Sequence, residues 1–179
     1  MKKTPTKKEP VKKAATPVVA LPTEPEMQAY TFEIFIASGP MTERFMKKHR
    51  ILSRTIQMRG DQTLENLHEA IFDAFDREEE HMYEFQIGGK GPQYPQANRY
   101  GLGSLDDEEL DGAVETTTLA SLELKVNSPF GYWFDFGDDW WHQINLIALE
   151  AAEPSARYPK VIKRVGASPP QYVDWDEEE

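Results

Sequence analysis

The sequence predicts a single α+β domain in which a mixed β-sheet packs on one main helix. Three observations lead to this fold class. Several short segments alternate apolar and polar residues, which is typical of strands with one buried face. One segment, residues 61–76, repeats its apolar residues every three or four positions, as an amphipathic helix does. The length of 179 residues fits one domain with short tails.

The first half of the domain contains two predicted strands and the predicted helix. Residues 30–36 and residues 54–58 alternate as strands, with a connection of undefined shape between them. The helix begins at Asp61 or Thr63, because either side chain can accept a hydrogen bond from the first free amides of a helix. His68 lies on the apolar stripe of this helix and is interpreted as a histidine at the edge of the core.

The second half contains further strands and a long glycine-rich loop. The remaining elements are a strand at 81–87, a loop at 88–112, a one-turn helix at 118–122, strands at 130–136 and 142–149, and a short edge strand at 158–165. This order predicts a β-grasp-like (ubiquitin-like) sheet with an added C-terminal hairpin. A shared fold does not define a function, so the function has to be argued from the site.

Composition divides the chain into a domain and two tails. Residues 1–26 contain six lysines and five prolines without an apolar period, so we expect a disordered tail. Residues 27–172 form the predicted domain. Residues 173–179 form a predicted acidic tail, because five of the last six residues are aspartate or glutamate.

Overall composition excludes several classes of protein. The chain has no cysteine, which excludes disulfides, thiolate metal ligands and a cysteine nucleophile. The net charge of −11 argues against a nucleic-acid-binding surface on the domain and leaves nucleic acid as a partner only through the lysine-rich tail. No apolar run approaches the ~20 residues that cross a bilayer, so we predict no membrane partner and a cytoplasmic location.

The densest aromatic segment is residues 132–141, which holds six of the twenty aromatic residues in the chain. The Gly-Asp-Asp sequence at 137–139 lies between two β-rich runs and predicts a hairpin turn. A loop of two or four residues places Asp135 opposite His142, whereas a three-residue loop places it opposite Trp141.

The two- or four-residue loop also predicts which side chains are buried. Phe134 and Phe136 share one face of the hairpin, and we expect this face to pack on the helix. An Asp135 carboxylate in contact with His142 favours the charged imidazole, so we expect a raised pKa for His142.

Three motifs give the chain a family resemblance. An aromatic-Asp-Phe-Gly-Asp-x-Trp-x-His run lies at 134–142, a Thr-Leu-x-x-Leu-His segment at 63–68 and a His-x-Tyr-x-Phe segment at 81–85. With these motifs the chain resembles the plasmid pRiA4b open-reading-frame-3-like family over about residues 30–172.

The resemblance implies a fold and a site in the hairpin, and it names no reaction. Some members of that family are passengers of insertion elements and carry the label TnpR, which implies a link to mobile elements. Downstream, the chain keeps Tyr-Pro at 158–159 and Pro-Pro at 169–170. It has Gln171 and Tyr172 where the family has Glu-Asp.

The candidate binding face combines the hairpin turn with the histidine that begins the third predicted strand. Its residues are Asp135, Asp138, Asp139, Trp140, His142 and His81. The favoured function is a binding or adaptor domain for a protein or small-molecule partner, because the sequence contains no nucleophile–base pattern. No cofactor is predicted.

Two alternative functions stay open. An acid–base or metal-dependent enzyme would use residues of the candidate binding face, namely His81, Asp135, Asp138, Asp139 and His142. Two imidazoles and nearby carboxylates can bind a divalent metal such as zinc, and the candidate ligands are His81, Asp135 and His142. Nucleic-acid association through the lysine-rich residues 1–26 is the other alternative.

Overall fold

The computed structural model of the protein describes residues 24–103 and 109–173. Residues 1–23 of the predicted disordered tail lie outside the described residues. The nucleic-acid contact predicted for this tail therefore falls there as well. The predicted acidic tail lies outside them from residue 174 onwards. At the boundary between the predicted tail and the predicted domain, Pro25–Met27 form a 3₁₀ turn ahead of the first strand.

Eight strands in the described ranges form one sheet, and two α-helices lie between them in sequence. The elements are β1 (Gln28–Ser38), α1 (Glu43–Lys48), β2 (Ser53–Arg59), α2 (Leu64–Ala74), β3 (Tyr83–Ile87), β4 (Asn98–Gly101), β5 (Gly112–Ala113), β6 (Pro129–Phe134), β7 (Trp140–Ala151) and β8 (Lys160–Val165). The strand order is β5-β4-β3-β6-β7-β1-β2-β8. The predicted α+β class with a mixed sheet is therefore confirmed. None of the helices described is both long and apolar enough to span a membrane.

The direction of the strands bears on the finer prediction of a β-grasp-like sheet. A β-grasp sheet pairs its first strand in parallel with a later strand. Here β1 pairs antiparallel with both of its neighbours, β2 and β7. The parallel pair in the described sheet is β4 with β5. The β-grasp-like description is therefore not confirmed by the pairings.

Three observed elements differ from the predictions, each for a physical reason. Helix α1 buries no residue, so the sequence shows no apolar stripe there. The helix is capped by Thr42, whose hydroxyl accepts a hydrogen bond from the Phe45 amide at 3.1 Å. Strand β4 and the start of β5 lie in the predicted loop at 88–112. They are four and two residues long, and they form because β3 offers a free edge to pair with.

Helix α2 begins at the second of the two predicted caps. The Thr63 hydroxyl accepts a hydrogen bond from the Asn66 amide at 3.3 Å, and the Asn66 side chain accepts one from the Thr63 amide at 3.1 Å. This reciprocal capping box satisfies two of the free amides at the start of a helix. Leu64, Leu67 and Ile71 are buried, and α2 thereby places its apolar stripe on the sheet.

The hairpin of β6 and β7 supplies the centre of the core. Successive side chains alternate between the two faces of a strand, so each strand has one buried face. The buried side chains are Phe130, Tyr132 and Phe134 from β6 and Trp140, His142 and Ile144 from β7. Trp133 and Trp141, which alternate with them, project from the opposite face and are partly exposed.

A buried arginine joins α2 to the sheet. The guanidinium of Arg54 on β2 donates to the carbonyl of Ala74 at 2.7 Å and to the carbonyl of Val165 at 3.0 Å. Ala74 ends α2, where carbonyl groups lack partners inside the helix and a cation is favoured by the helix dipole. The same guanidinium lies 4.6 Å from the ring centre of Phe75.

The prediction that Phe134 and Phe136 share a buried face is half wrong. Phe134 is 1% exposed and belongs to the core, whereas Phe136 is 39% exposed. The reason is that β6 ends at Phe134 and Asp135 takes a φ of 56°, which turns the chain away from the sheet before Phe136.

Replacing these two rings should therefore have very different effects on stability. We expect Phe134→Ala to lower the free energy of unfolding by about 3–5 kcal/mol, because it leaves a cavity in the core. Phe136→Ala should cost less than about 1 kcal/mol, as is usual for exposed positions. Urea titration of both variants beside the unaltered protein measures the two losses. Equal losses would contradict the assigned burial.

Candidate functional site

The register of the hairpin differs from the predicted one. Strands β6 and β7 pair Phe134 with Trp140 and Tyr132 with His142. The loop therefore contains five residues, 135–139, and the predicted contact of Asp135 with His142, or with Trp141, is wrong. Counting the loop as two to four residues caused the error.

The side chain of Asp135 explains the five-residue loop. Its carboxylate accepts hydrogen bonds from the amide of Gly137 at 3.1 Å and from the amide of Asp138 at 3.3 Å. The backbone of Asp135 is left-handed, with φ of 56°, and so is that of Asp139, with φ of 54°. Aspartate tolerates this conformation better than most residues, so the sequence supports a long turn that begins at Asp135.

Three residues of the candidate binding face are buried, which corrects the predicted face. Trp140 is 0% exposed, His142 is 1% exposed and Asp135 is 7% exposed. Trp140 packs so closely on Gly39 that any side chain at that position would collide with the indole ring. The guanidinium of Arg77 covers the same indole, 3.8 Å from the ring centre. Trp140 and His142, which were predicted as site residues, therefore belong to the core.

Burial also reverses the expected charge of His142. Burial, and then the nearby positive charge of Arg77, lower the pKa of His142 to about 3. The backbone carbonyls of Tyr132 and Trp140 oppose this shift. Neither ring nitrogen has a partner within hydrogen-bond geometry among the described residues. The imidazole is neutral at pH 7, and the expectation of a raised pKa is wrong.

The structure brings Asp135 together with His81 instead. The Nε2 atom of His81 lies 3.5 Å from a carboxylate oxygen of Asp135 and 2.8 Å from the hydroxyl of Tyr172. That hydroxyl donates to the carboxylate of Glu79 at 2.9 Å. This hydrogen bond raises the pKa of Tyr172 to about 12. His81 is 35% exposed, so the group is accessible to solvent.

The predicted metal ligands do not form a metal site. Within the described ranges, no group of three histidine, aspartate or glutamate side chains is placed to hold a metal ion. His81 and Asp135 are close together, but His142 points into the core from β7. The ligand set of His81, Asp135 and His142 depended on the wrong register.

A stack of three aromatic rings lies on the outer side of the hairpin. Trp133 stacks on Trp141 with ring centres 4.7 Å apart and planes at 8°, and on Phe136 at 4.0 Å and 26°. The carboxylate of Asp139 accepts a hydrogen bond from the Trp133 indole at 2.9 Å. We call Trp133, Trp141 and Phe136 the aromatic stack. Sequence reasoning missed it, although a five-residue loop would have paired Trp133 with Trp141.

His68 on α2 lies in a second polar cluster at the edge of the core. Its ring stacks on Tyr83 with centres 3.6 Å apart and planes at 3°. Burial lowers the pKa of His68, and the Glu80 carboxylate partly opposes the shift. The Nδ1 atom of the ring lies 2.7 Å from the hydroxyl of Tyr132, and the Nε2–H group donates a hydrogen bond to the carboxylate of Glu80 at 3.0 Å.

These features define an α+β protein with a single mixed sheet and an acidic, aromatic hairpin turn at the surface. A profile of the plasmid pRiA4b ORF-3-like proteins matches residues 45–175, so the chain belongs to this family. The resemblance seen in the three motifs is confirmed.

Two other proteins are similar to the chain. The uncharacterized protein y4hQ of Sinorhizobium fredii is 28% identical over 113 residues, which are 62% of this chain and 53% of that protein. The chain thus spans about half the length of that curated relative. A crystal structure of a protein of unknown function, MM3350 from Methanosarcina mazei, has a TM-score of 0.63 at 22% identity. The match covers 80% of this chain and 72% of the other, and it supports the fold alone.

The neutral, buried state of His142 has a consequence for pH dependence. The pKa of His142 in the folded protein lies below its unfolded value near ~6.5, so its contribution to stability is complete above that pH. The contribution is lost as the pH falls toward about 3.

From pH 7 to pH 5, we expect His142 to account for a loss of roughly 2 kcal/mol in unfolding free energy. Urea titrations at both pH values should show this loss in the unaltered protein and a smaller one in His142→Leu. His68 changes in the same direction and remains present in both proteins. An NMR signal of His142 that titrates with a midpoint near 6.5 would refute the assignment.

Proposed function

We propose that this protein is a binding domain that recognises a partner protein through the aromatic stack, and that the partner contributes arginine or lysine side chains. The proposal rests on one observation. Three stacked rings lie beside the carboxylate of Asp139, in the turn of the β6–β7 hairpin. Trp and Tyr rings at such exposed positions are frequent anchors of protein interfaces.

The arrangement of the rings leaves two faces for a partner. Phe136 and Trp141 both stack on Trp133 in nearly parallel planes, and among the described residues no ring contact joins Phe136 to Trp141. Trp133 therefore lies between the other two rings. Phe136 is 39% exposed and Trp141 is partly exposed, so both rings are accessible to a partner.

The charge around the rings favours a cationic side chain. The face of an indole or phenyl ring is electron-rich and attracts a guanidinium or an ammonium group, by about 0.5–1 kcal/mol at an exposed site. Asp138 and Asp139 add negative charge in the same turn, within a chain whose net charge is −11. An arginine is the better fit, because its planar group stacks on a ring while it donates to a carboxylate.

The turn is also held in one conformation before any partner binds. Asp135 fixes the loop through two backbone amides, and Asp139 fixes the indole of Trp133. Binding therefore orders few side chains, which lowers its entropic cost.

A defined peptide tests the proposed function. The probe is a blocked peptide of three arginines spaced by glycines, and its control carries glutamine in place of arginine. We expect the arginine peptide to bind more tightly in calorimetry. Phe136→Ala and Trp141→Leu should each weaken binding about fivefold, the equivalent of about 1 kcal/mol.

Ile147→Ala is the matched control for these two variants, since Ile147 is an exposed apolar residue of β7, 42% exposed, away from the turn. It should leave peptide affinity unchanged. Equal affinity for the two peptides, or equal weakening by Ile147→Ala, would contradict the proposal.

A second candidate function, general-base catalysis, is supported by the surroundings of His81. The hydroxyl of Tyr172 donates its hydrogen bond to Glu79, so it can only accept one from His81. The Nε2–H group of His81 therefore donates toward the oxygen atoms of Tyr172 and Asp135. This tautomer leaves the Nδ1 atom of His81 to accept a proton from a substrate or a water molecule.

Hydrolysis of p-nitrophenyl acetate and bis-p-nitrophenyl phosphate tests the second candidate. Loss of a general base lowers a rate by about 10²-fold or more, so His81→Gln should abolish most of any turnover. His49→Gln is the control, because His49 lies outside this cluster and any imidazole hydrolyses the ester slowly. An equally small loss of hydrolysis rate in His81→Gln and His49→Gln would count against His81 as a general base.

A further inference from the structure

Three polar side chains in the core lack hydrogen-bond partners. Arg77, Trp140 and His142 are each at most 8% exposed. Both terminal amino groups of Arg77, the indole N–H of Trp140 and both ring nitrogens of His142 have no hydrogen-bond partner among the described residues. We call Arg77, Trp140 and His142 the buried donor cluster. Neither the aromatic stack nor the group around His81 includes any of them.

The members of the buried donor cluster lie next to one another. The guanidinium carbon of Arg77 is 3.8 Å from the ring centre of Trp140. Trp140 and His142 are two residues apart on β7, so both project from the buried face of that strand. Burial, and then the positive charge of Arg77, lower the pKa of His142, so these two side chains are also close. One enclosed region of the core therefore holds all of these donors.

A second buried arginine shows how the fold accommodates such a charge elsewhere. Arg54 is 2% exposed, and its guanidinium donates to the carbonyls of Ala74 and Val165 and to the hydroxyl of Ser168. The terminal amino groups of Arg77 have no comparable acceptor in the described ranges. A guanidinium without acceptors in the core is strongly unfavourable, so a ligand that supplies them is favoured.

The polar groups nearest to Arg77 are engaged with other residues. Burial lowers the pKa of Arg77 to about 10, and Tyr132 and Asp135 oppose this shift. The Tyr132 hydroxyl lies 2.7 Å from Nδ1 of His68, and the Asp135 carboxylate accepts hydrogen bonds from the amides of its own turn. Arg77 is therefore charged at pH 7, and its terminal amino groups have no anionic partner among the residues described.

We propose that the buried donor cluster binds a small carboxylate anion. The two oxygens of the carboxylate accept from the two terminal amino groups of Arg77, which is the paired geometry in which a guanidinium binds this group most strongly. The indole N–H of Trp140 and a ring N–H of His142 are further donors beside it. This inference goes beyond the proposed function, since it concerns the buried face of the hairpin and a ligand of opposite charge.

Charge and size both select a small monoanion. Arg77 carries one positive charge, whereas His142 is neutral at pH 7 because its pKa is about 3. One carboxylate neutralises the cluster, and a phosphate dianion would add an uncompensated negative charge to the core. The donor atoms have almost no contact with solvent, so a bulky ligand does not fit among them.

The backbone that carries Arg77 is fixed before a ligand binds. The Arg77 amide donates to the carbonyl of Phe72 at 3.1 Å. Immediately after it, the side chain of Gln171 accepts hydrogen bonds from the amides of Glu78 and Glu79, at 2.8 and 3.0 Å. The guanidinium is thus held over the indole, and binding orders few additional groups, which lowers its entropic cost.

An NMR titration of the full chain with acetate tests the proposal. The chain has four tryptophans, so their indole N–H signals are separate reporters. We expect acetate to shift the Trp140 signal to saturation, because that N–H gains an acceptor. The Trp133 signal should not move, since its N–H already donates to Asp139 at 2.9 Å. Sodium chloride at the same ionic strength is the control, and an equal shift with chloride overturns the proposal.

A conservative variant tests the paired geometry. Arg77→Lys keeps the positive charge and removes the two parallel donors, so we expect acetate to bind about tenfold more weakly. Arg50→Lys is the matched control, because Arg50 is an exposed arginine outside the cluster. Full affinity in a folded Arg77→Lys protein, or the same loss in Arg50→Lys, overturns the proposal. If urea titration shows that Arg77→Lys is unfolded, the Trp140 signal of the unaltered protein decides.

A second probe identifies the source of the carboxylate. A blocked Gly-Glu-Gly peptide presents one side-chain carboxylate, and Gly-Gln-Gly is its control. Tighter binding of acetate indicates a free small acid, and tighter binding of the glutamate peptide indicates a protein side chain. A Trp140 signal that moves with neither probe at millimolar concentration overturns the inference. Phe136→Ala should leave acetate affinity unchanged, so this result is separate from the test of the aromatic stack.

Discussion

The position of α2 on the sheet depends on the enclosed guanidinium of Arg54. A charge that is 2% exposed destabilises a fold by several kcal/mol unless its donors are satisfied. Here the donors reach the last carbonyl of α2, the end of β8 at Val165 and the hydroxyl of Ser168. Arg164 donates to the same Ala74 carbonyl. The helix, the sheet edge and the segment that follows β8 are thus fixed together.

The fold class and most elements could be predicted because they follow from local rules. Alternation marks β1, β2 and β3, and the apolar stripe of α2 with its threonine cap marks the helix. Helix α1 and the short strands β4 and β5 could not be predicted this way. Helix α1 buries nothing, and the two strands exist only because β3 pairs with β4. Their cause lies in another part of the chain.

The candidate site was harder to predict, because one loop length decides which side chains are exposed. A loop of two or four residues around 137–139 put His142 opposite Asp135, whereas the bonds of Asp135 to the next amides extend the loop to 135–139. That change moves the partner of His142 to Tyr132. The hairpin was therefore correctly placed in the sequence and Phe134 was correctly predicted as buried. Phe136, predicted as buried, is exposed, and Trp140, predicted on the binding face, is buried.

The two ends of the sheet show how the domain avoids joining to copies of itself. An unpaired strand edge is a template for another strand. At one end the sheet stops at β5, a strand of two residues, which is too short to support a stable pairing with another chain. At the other end β8 exposes Lys160, Lys163 and Arg164 next to the apolar Val161 and Ile162. Repulsion between these cations opposes edge-to-edge stacking, and so the apolar pair can remain exposed without seeding a fibril.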